Sequence, residues 1–249
     1  MAQRWEFHVK HSDIRVQTLA ELCAQAHVEV PVEVFPPLVA YLAEVLRANK
    51  SVNLTRITDP SQATRLHVLD SLCALPEVTG APAGRVCDIG SGAGFPGVPL
   101  ALAAARKCTL LDSVGKKGDV ASRILKDLGL DGSISVSKER AEQHARNHPG
   151  KYSVVTARAV APLASLVELA APLLSRGGRL VALKGSPCQS ELDAGLAAAA
   201  VVGMEFRTRR EFILPGGYER RCVIVYVNAR QSRVPLPRRE GLAQHAPLG

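Results

Sequence analysis

Asp88, Gly90, Gly92, Gly94 and Gly97 stand within ten residues, "DIGSGAGFPG", directly after the short apolar stretch Arg85-Val86-Cys87. Glycine tolerates positive φ and lets another molecule approach the main chain where a Cβ would clash. A strand-to-helix turn built this way is where doubly wound α/β sheets hold nucleotide-like cofactors. Two registers fit the stretch. Gly92-x-Gly94-x-x-Gly97 satisfies the dinucleotide pattern, which is weak alone. Asp88-x-Gly90-x-Gly92-x-Gly94 is led by an acid, and a purely structural tight turn is the third reading.

The surrounding chain must place that turn on a sheet. Strand-like runs fall at Arg85–Ile89, Cys108–Leu111, Ser133–Val136, Ser153–Thr156 and Arg179–Leu183. Helical spacing of apolar residues occupies the intervals, at Pro96–Ala105, Lys116–Leu128, Glu139–Asn147, Leu163–Leu174 and Gln189–Ala200. Such alternation predicts a parallel sheet with helices on both faces. The end differs: Glu205–Leu214 and Arg221–Val227 are extended runs joined by "PGGYER", a hairpin signal. Upstream, Val16–Cys23 and Val32–Arg47 show helical spacing. Asp59-Pro60 marks a further helix start, with Ala63, Leu66, Leu69 and Leu72 on one side. The expected organisation is a loose leader over 1–12, a helical cap and linker over 13–84, a sheet domain over 85–228, and a disordered Arg/Pro-rich tail over 229–249.

Ligands in such sheets bind beyond the carboxyl ends of the strands. Asp88 and Gly90 come after the first strand, Asp112 after the second, and Ala141 and Glu142 after the third. A carboxylate at Asp112 suits either a dinucleotide or S-adenosylmethionine (SAM), because both carry ribose hydroxyls. Acids near a pyrophosphate would oppose it, whereas SAM carries a sulfonium and an ammonium. The acid-led register and the acid set Asp88, Asp112 and Glu142 therefore favour SAM over NAD. The residues after the fourth strand narrow the acceptor. "TARAVAPL" (156–163) lacks both the Asn/Asp-Pro-Pro-aromatic loop used on exocyclic amines and the cysteine used on pyrimidine carbons. Acceptors with a ready lone pair remain, as does a hydroxyl with a base not identified. Guanine N7, exposed in the major groove, is such an acceptor and needs alignment more than proton removal.

The 249 residues carry a net charge of +8, and mean hydropathy is +0.06. Nine arginines and four glutamates fall between Gly203 and Gly249, which favours a polyanionic partner. The longest apolar run, Gly195 to Met204, is short of a membrane span. "MAQRWEFHVKHSD" has no apolar core of a secretory signal, so a cytoplasmic protein is expected. The six cysteines form no C-x-x-C pair, and free thiols without a metal are expected. His67 and Asp70 share a helix face, either as an acid/base pair or as a helix-to-domain anchor.

"NLTRITDP", "HVLDSL", "DIGSGAGFPGVPLA", "LLDSVGKK", "RAE", "ARAVAPL" and "LKG" occur in this order between Val32 and Val227. In this the chain resembles the bacterial methyltransferases that form 7-methylguanosine in small-subunit (16S) ribosomal RNA, the glucose-inhibited division protein B family. The resemblance implies a Rossmann-like SAM methyltransferase fold: a mostly parallel sheet ending in an antiparallel hairpin, with an N-terminal helical cap. It implies that Gly90 and Phe95 line the SAM pocket, Asp112 meets the ribose, Ala141 and Glu142 flank the adenine, and Arg158 sits beside cofactor and target. Lys184 and Arg220 are then the candidates for holding RNA. A monomer acting on 16S rRNA or the small subunit, with no general base, no metal and no membrane, is expected. The competing readings are a non-catalytic RNA-binding assembly factor and a small-molecule methyltransferase. The chain departs from the family pattern at Ala48-Asn49, where Trp-Asn is usual, and at "GDVASRI" after Lys117.

Overall fold

The computed structural model describes residues 15–249, so the expected leader over 1–12 lies outside the described residues. Seven strands form one sheet in the order β3-β2-β1-β4-β5-β7-β6. They are β1 (Arg85–Ile89), β2 (Cys108–Leu111), β3 (Ile134–Ser137), β4 (Tyr152–Arg158), β5 (Leu174–Lys184), β6 (Met204–Ile213) and β7 (Arg220–Asn228). β1 to β5 pair in parallel, while β7 joins β5 and β6 antiparallel. This is the doubly wound sheet with a closing hairpin that the sequence predicts.

The period of two along each strand sorts its side chains into two cores. Val86, Val154, Val181, Val223 and Val225 face a cluster shared with the cap and with helices Gly97–Ala103 and Gly115–Asp127. Cys87, Val155, Leu180, Ala182, Ile224 and Tyr226 face helices Ala141–Asn147, Leu163–Ala170 and Gln189–Val202. Leu38, Val39, Leu42, Leu69 and Leu72 of the cap belong to the first cluster, so cap and sheet share one continuous core. All six cysteines are free, and five of them are buried.

The cap helix starting at Pro60 is not uniform. Asp59 caps it by accepting from the Gln62 N–H at 2.7 Å. Its centre, Thr64–Leu69, is a π-helix, and Asp70–Leu72 resumes the α form. The wider turn rotates Leu66 off the buried stripe that Ala63, Leu69 and Leu72 keep. The expected four-residue apolar face is thus broken, and Leu66 instead borders a cleft at the carboxyl ends of the strands.

Residues 229–249, expected to be disordered, instead fold back onto the sheet's helices. Arg238 makes two bonds of 2.6 Å to Glu168, and Ala243 in the short helix Leu242–His245 is buried. The composition reads as a solvated tail because its arginines look unpartnered in sequence; Glu168, the partner of Arg238, lies 70 residues upstream.

Asp88 is fully buried, and burial pushes its carboxyl up to about 7 against the pull of two hydrogen bonds. Its Oδ1 accepts from Thr156 of β4 at 2.7 Å, and its Oδ2 from the Gly97 N–H at 2.9 Å. It therefore ties β1 to β4 and to the next helix rather than facing a ligand. Asp88→Asn would turn an amide donor toward one of these donors. The expected loss is about 2 kcal/mol, read as a lowered urea midpoint at pH 8; an unchanged midpoint would remove the tie from the account.

Candidate active site

Among the described residues, two clefts are found at the carboxyl ends of the strands. The first, about 180 Å³, is lined among others by Gly90, Asp112, Ala141, Glu142, Val160 and Gln244. The second, about 520 Å³, is lined by Thr55, Arg56, Leu66, His67, Asp70, Arg158, Lys184 and Arg221 among others. Of the residues predicted for a cofactor, Gly90, Asp112, Ala141 and Glu142 come together in the first cleft. Arg158 lines the second, and Phe95 is buried between Tyr41 and His67, with ring centroids 5.8 and 5.0 Å away.

β4 divides the clefts. In a continuous strand, residues two apart share a face. Here Ala159 takes a left-handed backbone at φ 55°, which separates Arg158 in one cleft from Val160 in the other. That conformation costs a residue with a Cβ about 1–2 kcal/mol, and it places two side chains of one strand end in two sites.

The glycine turn holds its shape through the protein's own contacts. Gly90 and Ser91 donate to the Leu111 carbonyl at 2.7 and 3.2 Å. Asp112 spans from β2 to the turn, its Oδ2 accepting from the Gly92 N–H at 2.8 Å and its Oδ1 from the Val114 N–H at 2.8 Å. A Cβ on Gly90 would come within 2.5 Å of Val160, at a φ of +64°. One on Gly92 would meet nothing within 4 Å. Gly90 is therefore required first by Val160, while Gly92 opens on free space. A branched residue at Gly90 would disturb folding as well as binding, contrary to a purely ligand-directed role.

The acids do not form the set the sequence predicts. Asp88 is internal, and Glu142 Oε1 accepts from the Gly241 N–H at 2.8 Å. Asp112, Glu139 and Glu142, with Arg140 as the cation, line the first cleft. That donor set and the open backbone at Gly92 fit a ribose-bearing cationic cofactor without phosphate, as SAM is.

The second cleft is organised by Asp70, which is 4% exposed. Its Oδ2 accepts from Arg158 and its Oδ1 from Arg221, each at 3.0 Å. Arg158 also donates to the Leu66 carbonyl at 3.0 Å and to His67 Nδ1 at 3.3 Å. His67 Nε2 lies 2.8 Å from Thr55 Oγ1. With Arg158 donating to Nδ1, the ring is neutral with its proton on Nε2. Burial, then the Arg158 charge, lowers its pKa to about 4. His67 links the cap to the end of β4 through Arg158.

The expected RNA residues separate. Lys184 lines the second cleft but pairs with Glu191 at 2.6 Å and donates to the Ala161 carbonyl at 3.1 Å. Arg220 is exposed outside the lining; Arg221 occupies the position inside. Arg56, exposed on the lining, was not anticipated, and neither were Val160 and Gln244. Sequence offers no sign of which of Arg220 and Arg221 faces inward until the register of β7 is known. Several C-terminal arginines are paired within the chain: Arg210 on Glu77 at 2.8 Å and Arg238 on Glu168 hold buried carboxylates, while Arg209 and Arg230 pair on the surface with Glu211 and Glu205.

With this geometry in place, comparison with known proteins is direct. Residues 35–212 match the family model GidB, rRNA small subunit methyltransferase G. The chain belongs to this family. Ribosomal RNA small subunit methyltransferase G of Deinococcus radiodurans is 39% identical over 213 residues, covering 84% of each chain. That of Lactobacillus delbrueckii subsp. bulgaricus is 36% identical over 214 residues, covering 84% of this chain and 89% of its own. Among solved structures, the O-methyltransferase from Bacillus cereus in complex with SAH aligns with a TM-score of 0.51 at 16% identity, over 76% of this chain and 90% of that one. Geranyl diphosphate methyltransferase aligns at 0.53 with 15% identity, over 67% and 79%. These two likenesses concern the fold, which is Rossmann-like and shared by SAM methyltransferases.

His67 gives a pH signature. Its pKa is lower in the folded chain than the ordinary 6.5, so the unfolded chain binds the extra proton between these values. The contribution is complete above pH 6.5 and is lost as pH falls toward 4. Relative to His67→Gln, the native protein is expected to lose up to about 3 kcal/mol across that window, measured by urea unfolding at stepped pH. Parallel stability curves for the two proteins would contradict a buried neutral His67.

Proposed function

We propose that this family member transfers the methyl group of SAM to N7 of a guanine in small-subunit ribosomal RNA, acting as a cytoplasmic monomer. The observation that carries the reading is the split at Ala159, which joins a cofactor cleft and a basic acceptor cleft through one strand end. Gly90, Asp112, Ala141 and Glu142 would hold the ribose and adenine, with Phe95 and Arg158 toward the other end. When bound, SAM supplies an electrophilic methyl carbon on a sulfonium.

The chain's task is then alignment. Arg158 is fixed by Asp70 and the Leu66 carbonyl, and its remaining N–H groups can hold the guanine O6 while N7 stays free. The N7 lone pair forms the new bond and the sulfur keeps the electrons of the broken one, so no proton moves and no base is needed. Arg56 and Arg221, with Arg220 nearby on the surface, suit a phosphate backbone. The assembly-factor reading leaves the paired clefts without a use.

The test is nucleoside mass spectrometry of 16S rRNA from cells with and without the gene. Loss of one 7-methylguanosine per rRNA, restored by purified protein and SAM, is expected; an unchanged level would refute the proposal. The purified enzyme should show no His67-dependent limb in its single-turnover rate between about pH 6.5 and 8.5, because His67 is already neutral there. A rise across that range that His67→Gln abolishes would instead identify His67 as a base.

A further inference from the structure

The C-terminal segment occupies one wall of the first cleft. Gln244, an exposed residue of the short helix Leu242–His245, lines the cleft. Gly241 adopts φ 82° and gives its N–H to Glu142 Oε1 at 2.8 Å. The segment is held on both sides of this contact. Arg238 grips Glu168, itself 3% exposed, through two bonds of 2.6 Å, and donates to the Ala246 carbonyl at 2.7 Å. The Leu248 N–H returns to Glu168 Oε2 at 3.1 Å, and Glu240 accepts from Arg146 at 3.2 Å. A buried carboxylate answered by a guanidinium and a backbone amide from one terminal segment is a built attachment. It lies past residues 35–212, the part matched by the family model.

We propose that this segment is a permanent wall of the cofactor site and that Gln244 is a specificity-determining residue, its carboxamide reading the 6-amino edge of adenine. The proposal rests on the assignment of SAM to the first cleft. Gln244 shares the cleft with Glu139, Arg140, Ala141 and Glu142. Ala141 and Glu142 are the residues assigned to the adenine, so the base would lie in the part of the cleft that they line. A carboxamide offers a donor and an acceptor in one plane, the pairing that suits adenine. A carboxylate only accepts, and Glu142 already spends one oxygen on Gly241. The cleft measures about 180 Å³, and Gln244 is part of its lining.

The test is calorimetric titration of the full chain with S-adenosylhomocysteine and with its analogue bearing hydrogen in place of the adenine 6-amino group. Gln244→Ala is expected to weaken S-adenosylhomocysteine about tenfold and to leave the 6-deamino analogue within twofold of wild type. Equal affinities for S-adenosylhomocysteine in wild type and Gln244→Ala, or equal losses for both ligands, would overturn the assignment to Gln244. Hydrogen exchange supplies the second readout, independent of any variant. Peptides spanning residues 238–249 should gain protection when wild type binds S-adenosylhomocysteine, and unaltered exchange there would overturn the wall. If wild type binds neither ligand, the cofactor assignment itself has failed, a result distinct from both.

Discussion

Asp70 holds two guanidinium groups on one buried carboxylate, and the arrangement of cap, hairpin and the second cleft depends on it. One oxygen faces Arg158 at the end of β4 and the other faces Arg221 at the start of β7. Removing one member of such a buried set typically costs about 3–5 kcal/mol, because the partners keep their charge in a poorly solvated place. Two more ion pairs share the plan. Arg65 of the cap meets Glu219 at the hairpin end, and Arg210 of β6 meets Glu77. The cap is thereby locked to both strands of the hairpin near its turn, and the cleft between them has fixed walls. The π-turn at Thr64–Leu69 serves this geometry by turning the Leu66 carbonyl, His67 and Asp70 toward Arg158.

A fixed Arg158 gives the clefts their relation. The left-handed Ala159 sends Val160 over Gly90 and leaves Arg158 among the cap's acceptors. Phe95 stacks on His67 at 5.0 Å with 13° between the planes, and the Arg158 guanidinium lies 6.0 Å from its ring. Aromatic ring, neutral imidazole and guanidinium thus form one packed seam beside the second cleft. Methyl transfer to a lone pair depends on alignment of donor and acceptor. A seam without mobile protons is consistent with that demand.

The strands were legible because period-two burial and βα alternation are local properties: β1 and β2 fall on the predicted residues, and the others differ by a few residues at their ends. The glycine turn was legible for the same reason, as were Gly90, Asp112, Ala141 and Glu142 as neighbours. What the sequence hid was long-range. Asp88 reads as a ligand-facing acid until Thr156 and the Gly97 N–H are seen on its two oxygens. Arg221 and Arg220 are indistinguishable until β7 has a register against β5 and β6. The terminal segment reads as solvated because Glu168 and Glu142, which anchor it, lie 70 and 99 residues away.

The central claim is that Asp70 acts on the reaction through Arg158. A double-mutant cycle of single-turnover methyl transfer, with Asp70→Asn, Arg158→Ala and the pair at saturating SAM and RNA, tests it most directly. Each single variant is expected to lower the rate at least tenfold, and the double variant to be no slower than Arg158→Ala alone, since Arg221, the partner then left to Asp70, is assigned to RNA binding, which saturation removes from the rate. Losses that multiply, or an Asp70→Asn enzyme that turns over normally at saturation, would show that the pair only holds the fold together.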